Sequence, residues 1–278
     1  MTGSVSQTAL TVFGALLEAR TGQQIAGYRA WRLDTALKPL LRERGHNTLD
    51  DLVTDLLAAR DVALGDRIVE AVLNGESSFF RDPAMFDLLA RALADADPAP
   101  RRPRIWSAGC ATGQEPLSLA MMFAEARGEG AAMPEIVATD VSEASLARAR
   151  AGRFSQFEIQ RGLPVRRMMR WFDGGDDGEW TATAELTRMV QYRRHNLVAD
   201  APPAGLFDAV LCRNVLLYFG AATKAVVFAK LAAALRPGGL LVLGAGETVI
   251  GQTGLFRPST RHRGLYERTE VADARAAA

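Results

Sequence analysis

The chain has 278 residues, enough for one large domain or two modest ones, and 48% hydrophobic with 23% charged residues describe a globular protein rather than a disordered one. Thirty-three Lys and Arg against 32 Asp and Glu leave a formal charge of +1, which excludes a polyanion-binding field over the whole molecule and points to no nucleic-acid partner. Two distant cysteines, Cys110 and Cys212, and three histidines (His46, His195, His262) argue against a disulfide framework, a CxxC ligand set or a His-built metal centre, and agree with a reduced, cytoplasmic setting. The first twenty residues lack a basic leader and their apolar stretch is broken by Gly14 and Glu18, so neither a signal peptide nor a membrane span is expected. Leu33, Leu37, Leu40 and Leu41 recur at helical spacing, with Arg32, Lys38 and Arg42 placed opposite as an exposed basic face; Pro39 is expected to kink or restart that helix. A later helix opens on Asp82 and Pro83 and repeats Phe86, Leu89, Ala90 and Leu93. Residues 96–104, rich in Pro and Arg, form a linker, which gives a helical domain over 1–95.

Beyond the linker the pattern becomes alternating. Strands are expected at 104–110, 135–140, 207–214 and 240–244, and helices at 115–127, from Ser142 as a cap, and at 221–235. Pro237, Gly238 and Gly239 are expected to stop that last helix and turn the chain into the next strand. Such alternation implies a parallel sheet covered on both faces, forming a second domain over 105–270. Between 155 and 195 the alternation gives way to Gly- and Asp-rich turns and short strands, an inserted antiparallel subdomain, and residues 271–278 are expected to fray.

The turn after the first of these strands carries Gly109 and Gly113, which allow a backbone to approach a ligand at the carboxyl end of a sheet; it is not a GxGxxG pyrophosphate fingerprint. Asp140 ends the next strand, where a carboxylate can accept hydrogen bonds from two ribose hydroxyls. The same residues would also serve as a tight turn and a helix cap. Taken together they point to a nucleoside-bearing cofactor without pyrophosphate, such as S-adenosylmethionine.

Four stretches make the chain resemble the CheR family of chemoreceptor glutamate methyltransferases: SSFFR at 77–81, IWSAGCATGQEP at 105–116, ATD at 138–140 and FDAVLCRNVLLYF at 207–219, with HNL at 195–197 beside them. The resemblance implies an α/β fold in which a class I AdoMet-dependent methyltransferase (Rossmann-like) sheet carries a small antiparallel β-subdomain and follows an all-helical N-terminal domain. It places Glu115 at the cofactor's amino group, Asp140 on the ribose, Asn196 and Leu197 around the adenine, Arg213 and Asn214 beneath the cofactor, and Ser77 and Arg81 reaching in from the helical domain. Family members commonly carry Asn and Thr where this chain has Gly75 and Ser77, so one contact is lost or passes to Asn74. A glutamate acceptor, already ionised near neutrality, needs neither a general base nor a metal. Catalysis then rests on alignment, with Arg81 orienting the carboxylate and Tyr218 fixing its second oxygen. Arg81 could instead pair with Asp82, and Phe79, Phe80, Cys110 and Cys212 read as core.

The expected partners are the acidic cytoplasmic helices of methyl-accepting receptors, docked on Arg32, Lys38 and Arg42 without membrane insertion. Some relatives tether to a receptor C-terminal pentapeptide through the β-subdomain. Here the hairpin around 173–178 is short and carries Asp173, Asp176 and Asp177 with no Lys or Arg before Arg188, so no tether is expected. Two other readings stay open: a class I methyltransferase for another carboxylate, or a non-catalytic sensor of S-adenosylhomocysteine on the same fold.

Overall fold

A computed structural model describes residues 5–25, 31–59, 61–95, 101–126, 133–176 and 178–269, arranged as two compact units. One comprises Met1–Asn74 with Tyr218–Thr223, the other Gly75–Leu217 with Lys224–Ala278. The division thus falls at Asn74, ahead of the Pro- and Arg-rich stretch, of which 96–100 lie outside the described residues. Arg101 and Arg102 of that stretch are tied down, Arg101 by Asp208 and Arg102 by the Pro134 carbonyl. The expected frayed tail at 271–278 also lies outside the described residues.

The first unit is a helical bundle of α1 (Gln7–Thr21), α2 (Trp31–Arg44), α3 (Leu49–Leu57) and α4 (Leu64–Val72). Ser6 caps α1, and Thr48 with Asp51 forms a capping box on α3. Leu33, Leu37, Leu40 and Leu41 are buried with Phe13, Leu52 and Ile68, as their spacing requires. Pro39 does not restart α2, which runs unbroken past it. The proline and Thr35 one turn earlier are both exposed, so the missing hydrogen bond falls on the solvent side. Lys38 and Arg42 are exposed as expected, but Arg32 is half-buried and donates to the Asn74 amide oxygen (2.9 Å). The basic face is therefore smaller than the wheel suggests.

The second unit opens with α5 (Pro83–Asp95) and continues through β1 (Arg104–Ala108), α6 (Gln114–Ala126), β2 (Glu135–Asp140) and α7 (Glu143–Ala151). An insertion follows: β3 (Arg153–Ser155), α8 (Gln156–Gln160), α9 (Val165–Trp171), β4 (Phe172–Gly174), β5 (Glu179–Ala182) and α10 (Ala184–Thr187). The main sheet then resumes with β6 (Val190–Arg194), β7 (Phe207–Cys212), α11 (Ala221–Ala234), β8 (Leu235–Leu243), β9 (Phe256–Pro258) and β10 (Tyr266–Arg268). Seven strands lie in the order β6-β2-β1-β7-β8-β10-β9. The first five are parallel, whereas β10 and β9 pair antiparallel, so the sheet is mixed rather than wholly parallel.

The insertion is narrower than the expected 155–195. Its sheet is β3-β5-β4 alone, and β6 pairs with β2 at the edge of the main sheet. Phe79 packs edge-on against Phe154 and Phe172, joining the insertion to the core that also holds Phe80, Phe86 and Leu89. Pro237, Gly238 and Gly239 do not stop α11. That helix ends at Ala234, and the three residues form an irregularity inside β8 that shifts its register against β7 between Phe207 and Ala209.

Candidate functional site

The strand order reverses at β1: the chain leaves it through α6 to β2 on one side and reaches β7 and β8 on the other. Open α/β sheets bind ligands in the crevice beyond the carboxyl ends of the strands at such a switch point. Gathered at that end are the turn 109–113 after β1, Asp140 closing β2, His195 after β6, and Arg213 and Asn214 after β7. Two buried thiols sense the charge assembled there. Burial raises the Cys110 thiol and the carboxylates of Asp140 and Glu115 raise it further, while Cys212 is raised by burial and then by Glu247 and Glu115. The switch point is thus ringed by carboxylates.

Each of them is held. Glu115, in the first turn of α6, accepts from the Ser107 hydroxyl (2.7 Å) and from Arg213 Nη1 (3.2 Å). The Arg213 side chain is only 3% exposed, and its Nη2 donates to the Arg81 carbonyl (2.8 Å) and to Asp82 (2.6 Å). Arg213 is therefore a strut between Glu115 and the 81–82 turn rather than a group directed at a ligand from below. Asp82 precedes Pro83 as expected, but its carboxylate pairs with Arg213, so it is not the partner of Arg81. Phe80 and Asp82 both hold positive φ, 46° and 60°, in the turn that Arg213 pins.

Asp140 accepts from the Ala111 amide (2.8 Å) and the Ser142 amide (2.9 Å), and the capping role belongs to Ser142, whose hydroxyl accepts from Ser145 N. Asn214, with φ of 59°, donates its amide to Glu247 (2.7 Å), which also accepts from Gly244 N (2.9 Å) and Leu217 N (3.3 Å). Leu197 is buried. The Asn196 side-chain oxygen accepts from the amides of Val198 and Ala199, so Asn196 shapes a turn. Ser77 is half-buried and Arg81 exposed, both in the segment leading to α5. Tyr218 belongs to the helical unit, where its carbonyl accepts from Gln24 N and its hydroxyl from the Asn74 side chain. Within the helical unit the Asn74 amide accepts from Arg32 on its oxygen and donates to the Tyr218 hydroxyl from its nitrogen.

Packing and positive φ both require the glycines of the turn. Gly109 (φ 79°) faces Val215, whose Cγ2 would lie 2.5 Å from an added Cβ; Gly113 (φ 95°) faces Ala149 and the Tyr192 hydroxyl, both at 2.9 Å. Sequence reasoning missed Glu247 and Lys230. Glu247 follows an apolar strand and a glycine turn, a pattern that marks a strand-end carboxylate, whereas nothing local distinguishes Lys230.

The donor set fits S-adenosylmethionine. A carboxylate at Glu115, in the first turn of α6, suits a cationic amino group, and one at Asp140, at the carboxyl end of β2, suits a ribose diol. Residues 75–265 match the family model for the CheR methyltransferase, SAM binding domain, a match that starts where the second compact unit does. The chain belongs to the CheR methyltransferase family. It is 34% identical over 260 residues to a chemotaxis protein methyltransferase of Vibrio parahaemolyticus, covering 90% of this chain and 94% of that one. Chemotaxis protein methyltransferase 1 of Pseudomonas aeruginosa is 34% identical over 253 residues, 88% and 92% of the two chains. Among solved structures, SAM-bound CalS10, an amino pentose methyltransferase from Micromonospora echinaspora, is similar with a TM-score of 0.36 and 22% identity over 61% of this chain and 52% of that one. The chain is thus an AdoMet-dependent methyltransferase by family, a class I fold with a small inserted antiparallel sheet and N-terminal helices. Among the described residues no helix is long and apolar enough to cross a membrane.

Proposed function

We propose that this CheR family member transfers the methyl group of S-adenosylmethionine to glutamate side chains of methyl-accepting chemotaxis receptors, working in the cytoplasm. One observation carries the reading: the similarity to chemotaxis methyltransferases extends over 90% of the chain, so most of the helical unit is included with the SAM-binding domain. A methyltransferase for an unrelated small carboxylate would have no need of a shared helical unit.

Bound S-adenosylmethionine supplies a sulfonium-activated methyl, whose carbon–sulfur bond breaks, leaving the pair on sulfur, as the carboxylate oxygen bonds to carbon. The protein's part is to bind and orient. Glu115 takes the amino group, kept in place by Ser107 and Arg213; Asp140 takes the ribose; Leu197 and the Asn196 amide flank the adenine; Ser77 adds a hydroxyl. Arg81 orients the acceptor carboxylate through its fork of donors. Lys38 and Arg42, exposed on α2, offer the acidic receptor helices a cationic face.

Transfer of labelled methyl from S-adenosylmethionine to receptor-containing membranes tests the reading. Base-labile methyl esters on the receptor are expected, and label that is absent or stable to base overturns it. Arg81→Ala is expected to lower the single-turnover rate far more than the affinity for S-adenosylhomocysteine. Equal losses would reduce Arg81 to a binding residue.

A further inference from the structure

The loop 195–201, which the proposed function assigns to the adenine, is shaped almost entirely from within. The His195 amide donates to the Asp140 carbonyl (2.9 Å) and its Nε2 bonds the Ala201 carbonyl (2.9 Å). Asn196 Oδ1 accepts from Val198 N (2.9 Å) and Ala199 N (3.2 Å), Asp200 N donates to the Asn196 carbonyl (2.9 Å), and the Asp200 carboxylate accepts from Asn196 N (2.7 Å). Two carbonyls, those of Val198 and Asp200, point outward from this ring of bonds. Both are taken by one group from elsewhere in the sequence: Lys230 Nζ, on α11, at 2.6 and 2.7 Å.

We infer that Lys230 is a positioning residue for cofactor recognition, a latch that fixes the base-binding loop from behind and so sets both affinity and discrimination for the adenine. The inference rests on the assignment of 195–201 to the base. A compact ammonium with three tetrahedral donors can serve two converging carbonyls at once, where a planar guanidinium is less suited. The chain's usage agrees: its 33 basic residues include only three lysines (Lys38, Lys224, Lys230), and one of them stands here. The latch matters because, apart from the His195 amide on the Asp140 carbonyl, the loop's own bonds are short-range. Asn196 and Asp200 close the turn on itself, and Lys230 fastens that turn to the helix beside it. Without the cation the loop would order only when the base arrives, and that ordering would be drawn from binding energy.

Isothermal titration of wild type, Lys230→Met and Lys230→Arg with S-adenosylhomocysteine and with its inosine analogue, S-inosylhomocysteine, tests the inference. The wild type should prefer the adenine ligand. Lys230→Met should weaken S-adenosylhomocysteine about tenfold, ~1.4 kcal/mol, and shrink that preference, with faster amide exchange at Val198 and Ala199. Lys230→Arg should recover part of both. In turnover, KM for S-adenosylmethionine should rise while kcat holds. Unchanged affinity and unchanged preference in Lys230→Met overturn the latch, as does an equal loss for both ligands with unchanged amide exchange, which marks a general structural role. A wild type that binds neither ligand instead overturns the cofactor assignment. Should the Met variant not fold, Lys230→Gln, which keeps a donor and the stem without the charge, carries the same expectations.

Discussion

Replacing Arg213 by methionine probes the strut on which the carboxylate site is built. The substitution keeps the aliphatic stem and removes a guanidinium that is 3% exposed and bonds Glu115, Asp82 and the Arg81 carbonyl. Stripping one partner from a buried ion pair costs about 3–5 kcal/mol, mainly because the other charge is left uncompensated. The two carboxylates differ in that respect. Glu115, 14% exposed, would keep only the Ser107 hydroxyl, whereas Asp82, 50% exposed, returns to water at little cost. The lower end applies, about 3 kcal/mol, with a share for unpinning the left-handed turn at Phe80 and Asp82. For a unit of this size that is a fall of about 6–12 °C in melting temperature. Urea unfolding and calorimetry read it directly. The stranded charge can then be neutralised: in Arg213→Met with Glu115→Gln the loss should fall short of the sum of the single losses by at least about 1 kcal/mol. A single variant within about 0.5 kcal/mol of wild type, or strict additivity in the double, would refute the strut.

Other expectations follow from the same geometry. Asp140→Ala removes the carboxylate that the proposed function sets against two ribose hydroxyls, each charge-assisted bond being worth about 1.5–3 kcal/mol, so S-adenosylhomocysteine affinity should fall more than about a hundredfold in calorimetric titration; near-unchanged affinity contradicts the assignment. Gly113→Ala places a methyl 2.9 Å from both Ala149 Cβ and the Tyr192 hydroxyl at φ 95° and should lower urea stability by roughly 1–3 kcal/mol, a neutral result arguing against a packed turn. Arg104 holds Glu135 below the ordinary carboxylate range, and Asp208, though burial pushes it up, is brought below by the Arg101 guanidinium and the Arg104 amide. Folded values below unfolded ones lend stability that is intact above about pH 4 and lost as pH falls through the folded values, so unfolding free energy should hold from pH 7 to 5 and decline below about 4; a decline already between 7 and 5 would contradict this. The insertion's edge strands, β3 and β4, are three residues each, β4 itself carrying Asp173 and the turn after it Asp176, with Asp177 outside the described residues. A receptor C-terminal pentapeptide should show no binding alongside active receptor methylation, and low-micromolar binding would restore the tether.

What could be read from the sequence alone is what local patterns encode. The runs that became β1, β2 and β7 are apolar on both faces, as strands inside a parallel sheet must be, and their ends were placed within two residues. The leucine stripe of α2 and the serine cap of α7 were equally plain. Strand β6 falls within the expected insertion because VQYRR is an edge strand, buried at one residue of five, and lacks the apolar run that marks an interior strand. The Pro-Gly-Gly stretch read as a helix stop because a bulge in β8 leaves the same local signature as a turn. Arg32 read as a surface cation because a helical wheel does not register Asn74, forty-two residues away.

The candidate site divides along the same line. Residue types at strand ends announce the chemistry: carboxylates at Glu115 and Asp140 and a polar turn at 195–197 are legible from position alone. Much of what holds those groups is not, since beside local bonds such as Ser142 on Asp140 several charged supports come from distant parts of the chain. Arg213 reaches Glu115 across 98 residues and Asp82 across 131, Glu247 reaches Asn214 across 33, and Lys230 reaches Val198 across 32. A site whose groups are fixed by long-range charge-assisted bonds is preorganised, so its ligand meets donors and acceptors already in place rather than ordering them on arrival. For a reaction whose donor and acceptor are already activated, alignment is the main thing left for a protein to supply. Selection on such an enzyme should therefore act on Arg213, Glu247 and Lys230 as strongly as on the residues that meet the cofactor.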